Sequence, residues 1–413
     1  MNNIVSPLPA IAPAVLSDIR GLTIDPNIAR THVMRPPQVV GAISSRGLEE
    51  GNLEALHKHP PGPKYHLNVA GFGQALHAAL KDKVAGYAMQ LRQHGAPIYT
   101  LEWNWAKYPT DGGAGWNMDR RMHVASVSKL MTAMAMTRVL DQKNLSFDTK
   151  IMGYLPTYWA KGPNLDKITF RDLMTHRSGF NTGKSDSDYG FMRDNVAAGV
   201  TDHGLYHYQN MNFGLCRILI STLTGIVAPG KMFPFPEPFT TTLNDLLWDY
   251  TTIAGYKQYV QQHVFAPAGV SGPTTEHPDP DALAYKFPVT GGGWNSGDLT
   301  AMIGGAGWHM SIDDLLAVMG TFRRTNAIMT TAQAQTMLDS GFGIDVIAST
   351  PLGTLYNKNG GWGPSSGESE QALAYFLPRD MEMVVLTNSP VGKPAIFFRD
   401  YVTNIYLNAI KPV

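Results

Sequence analysis

The apolar positions of the chain form short runs near both ends and helical spacing in the middle. Runs bounded by turn residues predict strands at 85–91, 98–105, 355–359, 372–377 and 383–387. Apolar residues three and four apart predict helices at 72–80, 170–175, 212–224, 245–264, 312–323 and 394–409. The strands therefore lie at the two ends of the sequence, and helices fill the region between them.

This order of elements predicts an α/β fold of the α+β type. The terminal segments pair into one antiparallel five-stranded sheet flanked by the N- and C-terminal helices, and the middle forms a large, mainly helical inserted lobe. We expect an extended arm over 1–70, a sheet lobe formed by 71–125 and 345–413, and a helical lobe over 126–344. A cleft between two lobes is a common place for an active site, so we expect the site there.

Composition and charge narrow the classes of function. The 413 residues are 44% hydrophobic, and 33 basic residues balance 33 acidic ones. A chain without net charge has no overall field to attract nucleic acid, so a small ester, amide or peptide is the expected partner. The single cysteine, Cys216, excludes an intrachain disulfide. The histidines offer no helical pair with metal-ligand spacing, and we expect neither a metal nor a cofactor.

The composition of the N-terminal segment is relevant to the cellular location of the protein. It carries three prolines within its first 13 residues and lacks basic residues ahead of an apolar run, which is not typical of a secretory signal. No apolar run reaches the length of a transmembrane segment. We expect a cytoplasmic protein if the sequence is full length, and a periplasmic or secreted one if a signal was removed. The sequence does not indicate an oligomeric state.

Ser126 and Lys129 are the residues most indicative of chemistry. They stand three positions apart at the head of an apolar run from Leu130 to Met136, and residues three apart on a helix share a face. The positive end of the helix favours negative charge on the serine oxygen. Burial beside so apolar a helix lowers a lysine pKa towards the range of a useful base. The pair predicts a serine nucleophile activated by an amine.

Two later segments carry side chains suited to the same chemistry. Tyr208 and Asn210 precede a predicted helix, where the phenol can act as phenolate or proton relay and the amide can hold an acyl group or Lys129. Lys358 lies on a predicted strand that ends in consecutive glycines, where small residues permit close approach of a ligand to the backbone. A backbone amide there could complete an oxyanion hole with the amide of Ser126, while the lysine charge favours a substrate carboxylate.

Three motifs in order resemble the three signatures of the serine β-lactamase and penicillin-binding protein superfamily; they are Ser126-x-x-Lys129, Tyr208-x-Asn210 and Lys358-Asn359-Gly360. Three further stretches resemble its class C β-lactamase branch, with the family VIII esterase and D-peptidase relatives of that branch; they are residues 168–179, 265–270 and 304–315. The resemblance runs from about residue 72 to the C-terminus. It implies the two-lobed fold and an acyl-serine mechanism.

The resemblance also implies a role for each motif residue. Ser126 would be the nucleophile, Lys129 and Tyr208 would share general-base and general-acid duty, and Asn210 would orient the acyl group. The remaining substrate-binding and oxyanion positions would be Lys358, Asn359, Gly360 and Gly361, and the amide of Gly361 would complete the oxyanion hole. Apart from the resemblance, Trp308 could line the cleft, although a tryptophan in a glycine-rich loop packs into a core about as often. Asn359 departs from the family pattern, because an amide stands where a threonine or another small residue is usual.

The expected function is a serine hydrolase that forms an acyl-enzyme at Ser126 and hydrolyses a small ester or amide, as an esterase, a β-lactamase or a D-amino-acid peptidase does. An acyltransferase of the same fold and a non-catalytic receptor for peptides or acyl groups stay open as alternatives. Residues 363–367 also fit the Gly-x-Ser-x-Gly elbow of α/β-hydrolases. That fold requires a histidine after the serine, and none follows here.

Overall fold

The computed structural model describes residues 64–183, 186–235, 239–277, 281–391 and 398–413. Most of the predicted arm, residues 1–63, lies outside the described residues, as does the start of the helix predicted at 394–409. The end of the arm forms a short strand, β1 (Tyr65–Leu67), which pairs antiparallel with the C-terminal strand β11 (Ile410–Pro412). The two ends of the described chain therefore meet.

The main sheet joins strands from both ends of the sequence, as the hydrophobic pattern predicts. It contains β2 (Gly86–Gln93), β3 (Ala96–Lys107), β4 (Ala114–Gly115), β7 (Val346–Thr350), β8 (Gly353–Trp362), β9 (Glu370–Leu377) and β10 (Met381–Thr387). Their order is β4-β3-β2-β10-β9-β8-β7, and each neighbouring pair is antiparallel. A separate two-stranded pair joins β5 (Met122–His123) to β6 (His309–Met310).

The antiparallel α/β fold predicted from the sequence is confirmed, with one correction to the number of strands. The five predicted strands form the central part of the sheet, but β4 and β7 extend it to seven. Both additional strands lie at the edges, and they contain only two and five residues. Runs this short are hard to distinguish from loops by their apolar pattern, because few residues are available to show a period.

The described residues contain nine α-helices, most of them in the middle of the chain as predicted. They are α1 (Val69–Leu80), α2 (Ser128–Gln142), α3 (Phe170–Met174), α4 (Tyr189–Ala198), α5 (Asn210–Leu223), α6 (Thr240–Val260), α7 (Ile312–Arg324), α8 (Thr331–Asp339) and α9 (Phe398–Asn408). Among the described helices, none combines the length and apolar character needed to span a bilayer.

Two hydrophobic cores lie on the two faces of the main sheet. On one face α1 and α9 pack together, and the rings of Phe72 and Tyr406 meet edge to face with their centroids 6.1 Å apart. On the other face, sheet residues such as Ala88 and Ala374 join the much larger core of the helical region. This alternation of faces along each strand is why both sides of the sheet are apolar. The division into lobes at 71–125, 126–344 and 345–413 stays a prediction.

Helix α2 is the element that brings the candidate nucleophile into the larger core. All residues from Ser128 to Thr137 are buried, which is the outcome expected for a helix that is apolar on every side. A 3₁₀ turn, Ala125–Val127, precedes this helix. Ser126 therefore lies in the turn rather than in the α-helix, and Lys129 lies in the first helical turn.

Candidate active site

The turn that carries Ser126 is held in place from two sides. Ala125 has a φ of 47°, in the left-handed region that residues other than glycine seldom adopt. The backbone of Trp308 fixes the turn, since its carbonyl accepts the N–H of Val124 at 2.9 Å and its N–H donates to the Ser128 hydroxyl at 3.3 Å. Ser126 is 8% exposed, so little of the residue is open to solvent.

Lys129 is completely buried, and its amine contacts three oxygen atoms. Nζ lies 3.1 Å from Ser126 Oγ, 2.7 Å from Asn210 Oδ1 and 2.6 Å from the carbonyl oxygen of Gly305. The amide and carbonyl oxygens can only accept hydrogen bonds. A neutral amine has two N–H donors and one lone pair, so donating to those two oxygens leaves its lone pair for the serine hydroxyl.

The pKa of Lys129 lies well below its ordinary value of 10.5, first because burial disfavours the charged form and then because Lys358 repels it. Asp345 acts in the opposite direction and offsets part of this effect. The residues in direct contact with Nζ are neutral groups, so no carboxylate bonded to the amine holds its proton. The amine is therefore suited to accept a proton.

Tyr208 contacts the serine hydroxyl from the other side, with its phenol oxygen 2.6 Å from Ser126 Oγ. Burial, followed by the charge of Asp345, raises the pKa of this phenol well above 10.0, so it keeps its proton. The ring lies 4.3 Å from the ring of His176, whose pKa is lowered well below 6.5, chiefly by burial. Tyr208 is therefore a hydrogen-bond donor to the serine rather than a phenolate.

Asn210 is the first residue of α5, and its side chain reaches the amine of Lys129. Of the two uses that the sequence allowed for this amide, the observed contact is the one that orients the lysine. Gly305 supplies the other acceptor for Nζ through its carbonyl. In the sequence Gly305 is only one residue of the family-like stretch 304–315, because a backbone carbonyl gives no signal of its own in a sequence.

Strand β8 passes directly beside the serine turn. A Cβ atom placed on Gly360 would lie 2.3 Å from the carbonyl oxygen of Val124 and 3.0 Å from the amide nitrogen of Ser126, so a side chain at this position would force the strand away. A Cβ on Gly361 would meet none of the described atoms within 4 Å. The two consecutive glycines thus differ: Gly360 sets the close contact, and Gly361 borders open space.

Lys358 precedes these glycines on β8 and is 1% exposed. Its Nζ lies 5.3 Å from the centre of the Tyr208 ring, and Nζ of Lys129 lies 4.9 Å from the same centre. Unlike Lys129, it forms an ion pair, with Asp345 Oδ1 at 2.7 Å. Asp345 gives no signal in the sequence, because a single aspartate thirteen positions before a lysine has no characteristic spacing.

The structure thus brings six of the predicted residues to one place around two elements, the serine turn and β8; they are Ser126, Lys129, Tyr208, Asn210, Lys358 and Gly360. Gly361 and Asn359 are their neighbours on β8.

Trp308 is the exception and requires a correction. Its indole is only 2% exposed and packs edge to face on Phe265 at 4.9 Å, because so large an apolar group gains most from the core. Trp308 supports the serine turn through its backbone and does not line the cleft with its side chain.

Comparison with known proteins shows which family the chain resembles. Residues 72–231 match the family model described as Beta-lactamase. The esterase/beta-lactamase LipL of Mycobacterium tuberculosis is 27% identical over 151 residues, which are 35% of this chain and 34% of LipL. The chain thus spans about a third of the length of the curated relatives it matches.

Solved structures show the same fold over most of the chain. A D-amino acid amidase from Ochrobactrum anthropi SV3 superposes with a TM-score of 0.62 at 14% identity, covering 83% of this chain and 98% of the amidase. An octameric penicillin-binding protein homologue from Pyrococcus abyssi gives 0.60 at 16% identity, with 83% and 76% covered. The resemblance stated from the motifs is confirmed: residues 72–231 match the Beta-lactamase family model, and the chain shares its fold with a penicillin-binding protein homologue and with this amidase.

Proposed function

We propose that the protein is a serine hydrolase that forms an acyl-enzyme at Ser126 and hydrolyses a small ester or amide. The observation that carries the proposal is the position of Ser126 Oγ, which lies 3.1 Å from a buried amine and 2.6 Å from a buried phenol. These are the distances at which a nucleophile, a base and an acid exchange protons. The match of residues 72–231 to the Beta-lactamase family model supports the same class of chemistry.

In the first step Ser126 Oγ attacks the substrate carbonyl carbon while Lys129 Nζ takes the hydroxyl proton. The hydrogen bonds to Asn210 and Gly305 hold the lone pair of the amine towards the serine, which reduces the motion required at the moment of transfer. The carbonyl becomes a tetrahedral oxyanion with a new C–O bond to Ser126. Lys129 becomes an ammonium.

The oxyanion is assigned to the backbone amides of Ser126 and Gly361. The close packing of Gly360 against the Ser126 amide supports this assignment, since it fixes β8 beside the serine turn. The open space beside Gly361 leaves room for the substrate. One donor of this kind is worth about 3 to 4 kcal/mol of activation free energy in other hydrolases.

The leaving group departs with a proton from Tyr208, whose raised pKa keeps that proton available until it is needed. Tyr208 then recovers a proton from the Lys129 ammonium. In the second half of the reaction a water molecule loses its proton to the same base and attacks the acyl carbon, which releases the acid and restores Ser126. The names of the relatives, an esterase/beta-lactamase and an amidase, support both esters and amides as candidate substrates.

The test is intact-mass spectrometry of the wild-type protein and Ser126→Ala, each incubated with p-nitrophenyl butyrate, with benzylpenicillin and with a fluorophosphonate. We expect at least one of these reagents to leave an adduct on Ser126, and p-nitrophenol to be released, with the wild type and not with Ser126→Ala. Ser146→Ala is the matched control, because Ser146 is an exposed serine outside the site. Undiminished turnover by Ser126→Ala would contradict the proposal.

The same experiment separates the alternatives. A folded wild-type protein that gains no adduct from any of the three reagents would favour a non-catalytic receptor. An acyl adduct that persists in water and is discharged by an added amine or alcohol would favour an acyltransferase. Rapid discharge by water alone is the result expected for a hydrolase.

A further inference from the structure

Asp345 is placed where it controls the charge of the proposed substrate site. It immediately precedes β7, and its backbone N–H donates to the carbonyl of Asn357 on β8 at 2.8 Å. Its carboxylate accepts from Lys358 Nζ at 2.7 Å through one oxygen and from the backbone N–H of Asn359 at 3.0 Å through the other. The carboxylate is only 6% exposed, so its position is fixed by β8 on both sides.

Lys358 is the residue that would attract a substrate carboxylate if its charge were available. In this chain the ammonium already has a buried carboxylate partner, so the pair carries no net charge. Arg399 of α9, which also acts electrostatically on Lys358, has an acidic partner of its own in Asp400 at 2.8 Å. Each of these two basic groups therefore has an aspartate as an ion-pair partner.

A second carboxylate brought to Lys358 would have to lie beside Asp345. Like charges held close together in a poorly solvated site repel strongly, and removing each of them from water costs additional free energy. An uncharged acyl group avoids both costs. The preference for carboxylate-bearing ligands expected from Lys358 alone therefore loses its physical basis.

We propose that Asp345 is a specificity-determining residue that excludes substrates with a carboxylate next to the scissile bond and selects uncharged esters or amides. This inference rests on the proposed hydrolase function. It assigns Asp345 no direct part in the chemistry. The residue acts through Lys358, because its ion pair with the ammonium leaves that charge unavailable to a substrate carboxylate.

The first test uses the wild-type protein alone. Phenylboronic acid and 3-carboxyphenylboronic acid differ by one carboxylate and bind reversibly to an active-site serine. We expect the uncharged boronic acid to inhibit ester hydrolysis at about tenfold lower concentration. Equal inhibition, or tighter binding of the carboxylated compound, would overturn the inference. Absence of any ester hydrolysis would instead contradict the proposed function.

The second test compares kcat/KM for p-nitrophenyl butyrate with kcat/KM for the p-nitrophenyl monoester of succinic acid, which carries the extra carboxylate. We expect Asp345→Asn to raise the ratio of anionic to neutral turnover by about tenfold, because Lys358 loses its partner. Asp345→Glu, which keeps a carboxylate, should stay close to the wild-type ratio. Asp148→Asn, in an exposed ion pair with Arg171, is the matched control and should not change it.

The ratio distinguishes selectivity from general damage. A variant that is merely destabilised loses activity towards both esters and leaves the ratio where it was. An unchanged ratio in a folded Asp345→Asn protein would overturn the inference while leaving the proposed hydrolase function intact.

Discussion

Two buried lysines lie beside the same tyrosine ring, and their surroundings differ in one respect. Lys129 contacts only neutral oxygens, whereas Lys358 contacts the carboxylate of Asp345. Burial lowers the pKa of both amines. At Lys358 the aspartate counteracts that effect directly, whereas Lys129 is also repelled by Lys358.

The difference separates two uses of the same residue type. An amine among neutral acceptors can lose its proton at moderate pH, so Lys129 is suited to be a base. A neighbouring carboxylate favours the charged form of an amine, so Lys358 is suited to a fixed electrostatic role. The second lysine also assists the first, because its positive charge makes protonation of Lys129 less favourable.

The largest expected effect comes from removing the base. We expect Lys129→Met to reduce kcat/KM for p-nitrophenyl butyrate by at least about 10⁴-fold, because nucleophile and base act as one unit. For the same reason, adding Lys129→Met to Ser126→Ala should cause little further loss. Steady-state kinetics of the two single variants and the double variant provide the measurement. Additive losses, or a Lys129→Met enzyme with wild-type rates, would contradict the assignment of the base.

Tyr208→Phe removes the acid and keeps the ring. We expect a loss of about 10²- to 10⁴-fold, the usual range for general acid–base catalysis. The loss should be greatest with alkyl esters and smaller with p-nitrophenyl esters, because p-nitrophenolate departs readily without a proton. Comparison of the two ester types provides the test. An equal loss with both types would indicate that the phenol acts on the serine rather than on the leaving group.

The free energy of unfolding should distinguish the two lysines, because they differ in the charge of the groups they contact. Lys358→Met leaves the Asp345 carboxylate buried without its partner, and we expect a loss of about 3 to 5 kcal/mol in the free energy of unfolding. Lys129→Met leaves only neutral acceptors without a donor and should cost about 1 to 3 kcal/mol. Urea denaturation measures both. Combining Lys358→Met with Asp345→Asn should recover part of the stability lost in Lys358→Met. Equal losses for Lys358→Met and Lys129→Met would contradict the difference drawn between the two lysines.

The smallest expected effect is a shift of the pH profile. Because Lys129 must be unprotonated, kcat/KM should rise about tenfold per pH unit below its lowered pKa and level off above it. Tyr208 keeps its proton, so no decline is expected on the alkaline side below about pH 10. In Lys358→Met the repulsion is lost and Asp345 is left alone, and both changes raise the pKa of Lys129. We expect the rise to move about one pH unit upward; a downward shift would contradict the electrostatic coupling.

Much of the fold and of the candidate site could be predicted because the signals are local. The five central strands and the helical middle follow from apolar periods within single segments. The Ser126 and Lys129 pair follows from helical spacing. A hydrogen bond between a buried side chain and a distant backbone group gives no such local signal. The carbonyl of Gly305 that contacts Lys129 lies 176 residues away along the chain.

Trp308 shows that a local sequence signal can also predict the wrong position for a side chain. Its position in a family-like, glycine-rich stretch made a cleft position reasonable, but the orientation of its side chain depends on the packing of Phe265 and the serine turn. Gly360 is an intermediate case. Two glycines at the end of a strand predict close approach, while only the folded chain determines that Gly360, and not Gly361, makes the contact.

The sequence by itself determined the class of fold, the three ordered motifs and the proposed nucleophile with its proposed base, because these depend on residue types at fixed local spacing. Only the tertiary structure decided the charge of the site. Asp345 approaches Lys358 because β7 and β8 pair. Tyr208 lies beside both lysines because α5, which it precedes, packs against α2. Electrostatic interactions depend on distance in space and on burial, and neither quantity can be read from positions along the chain.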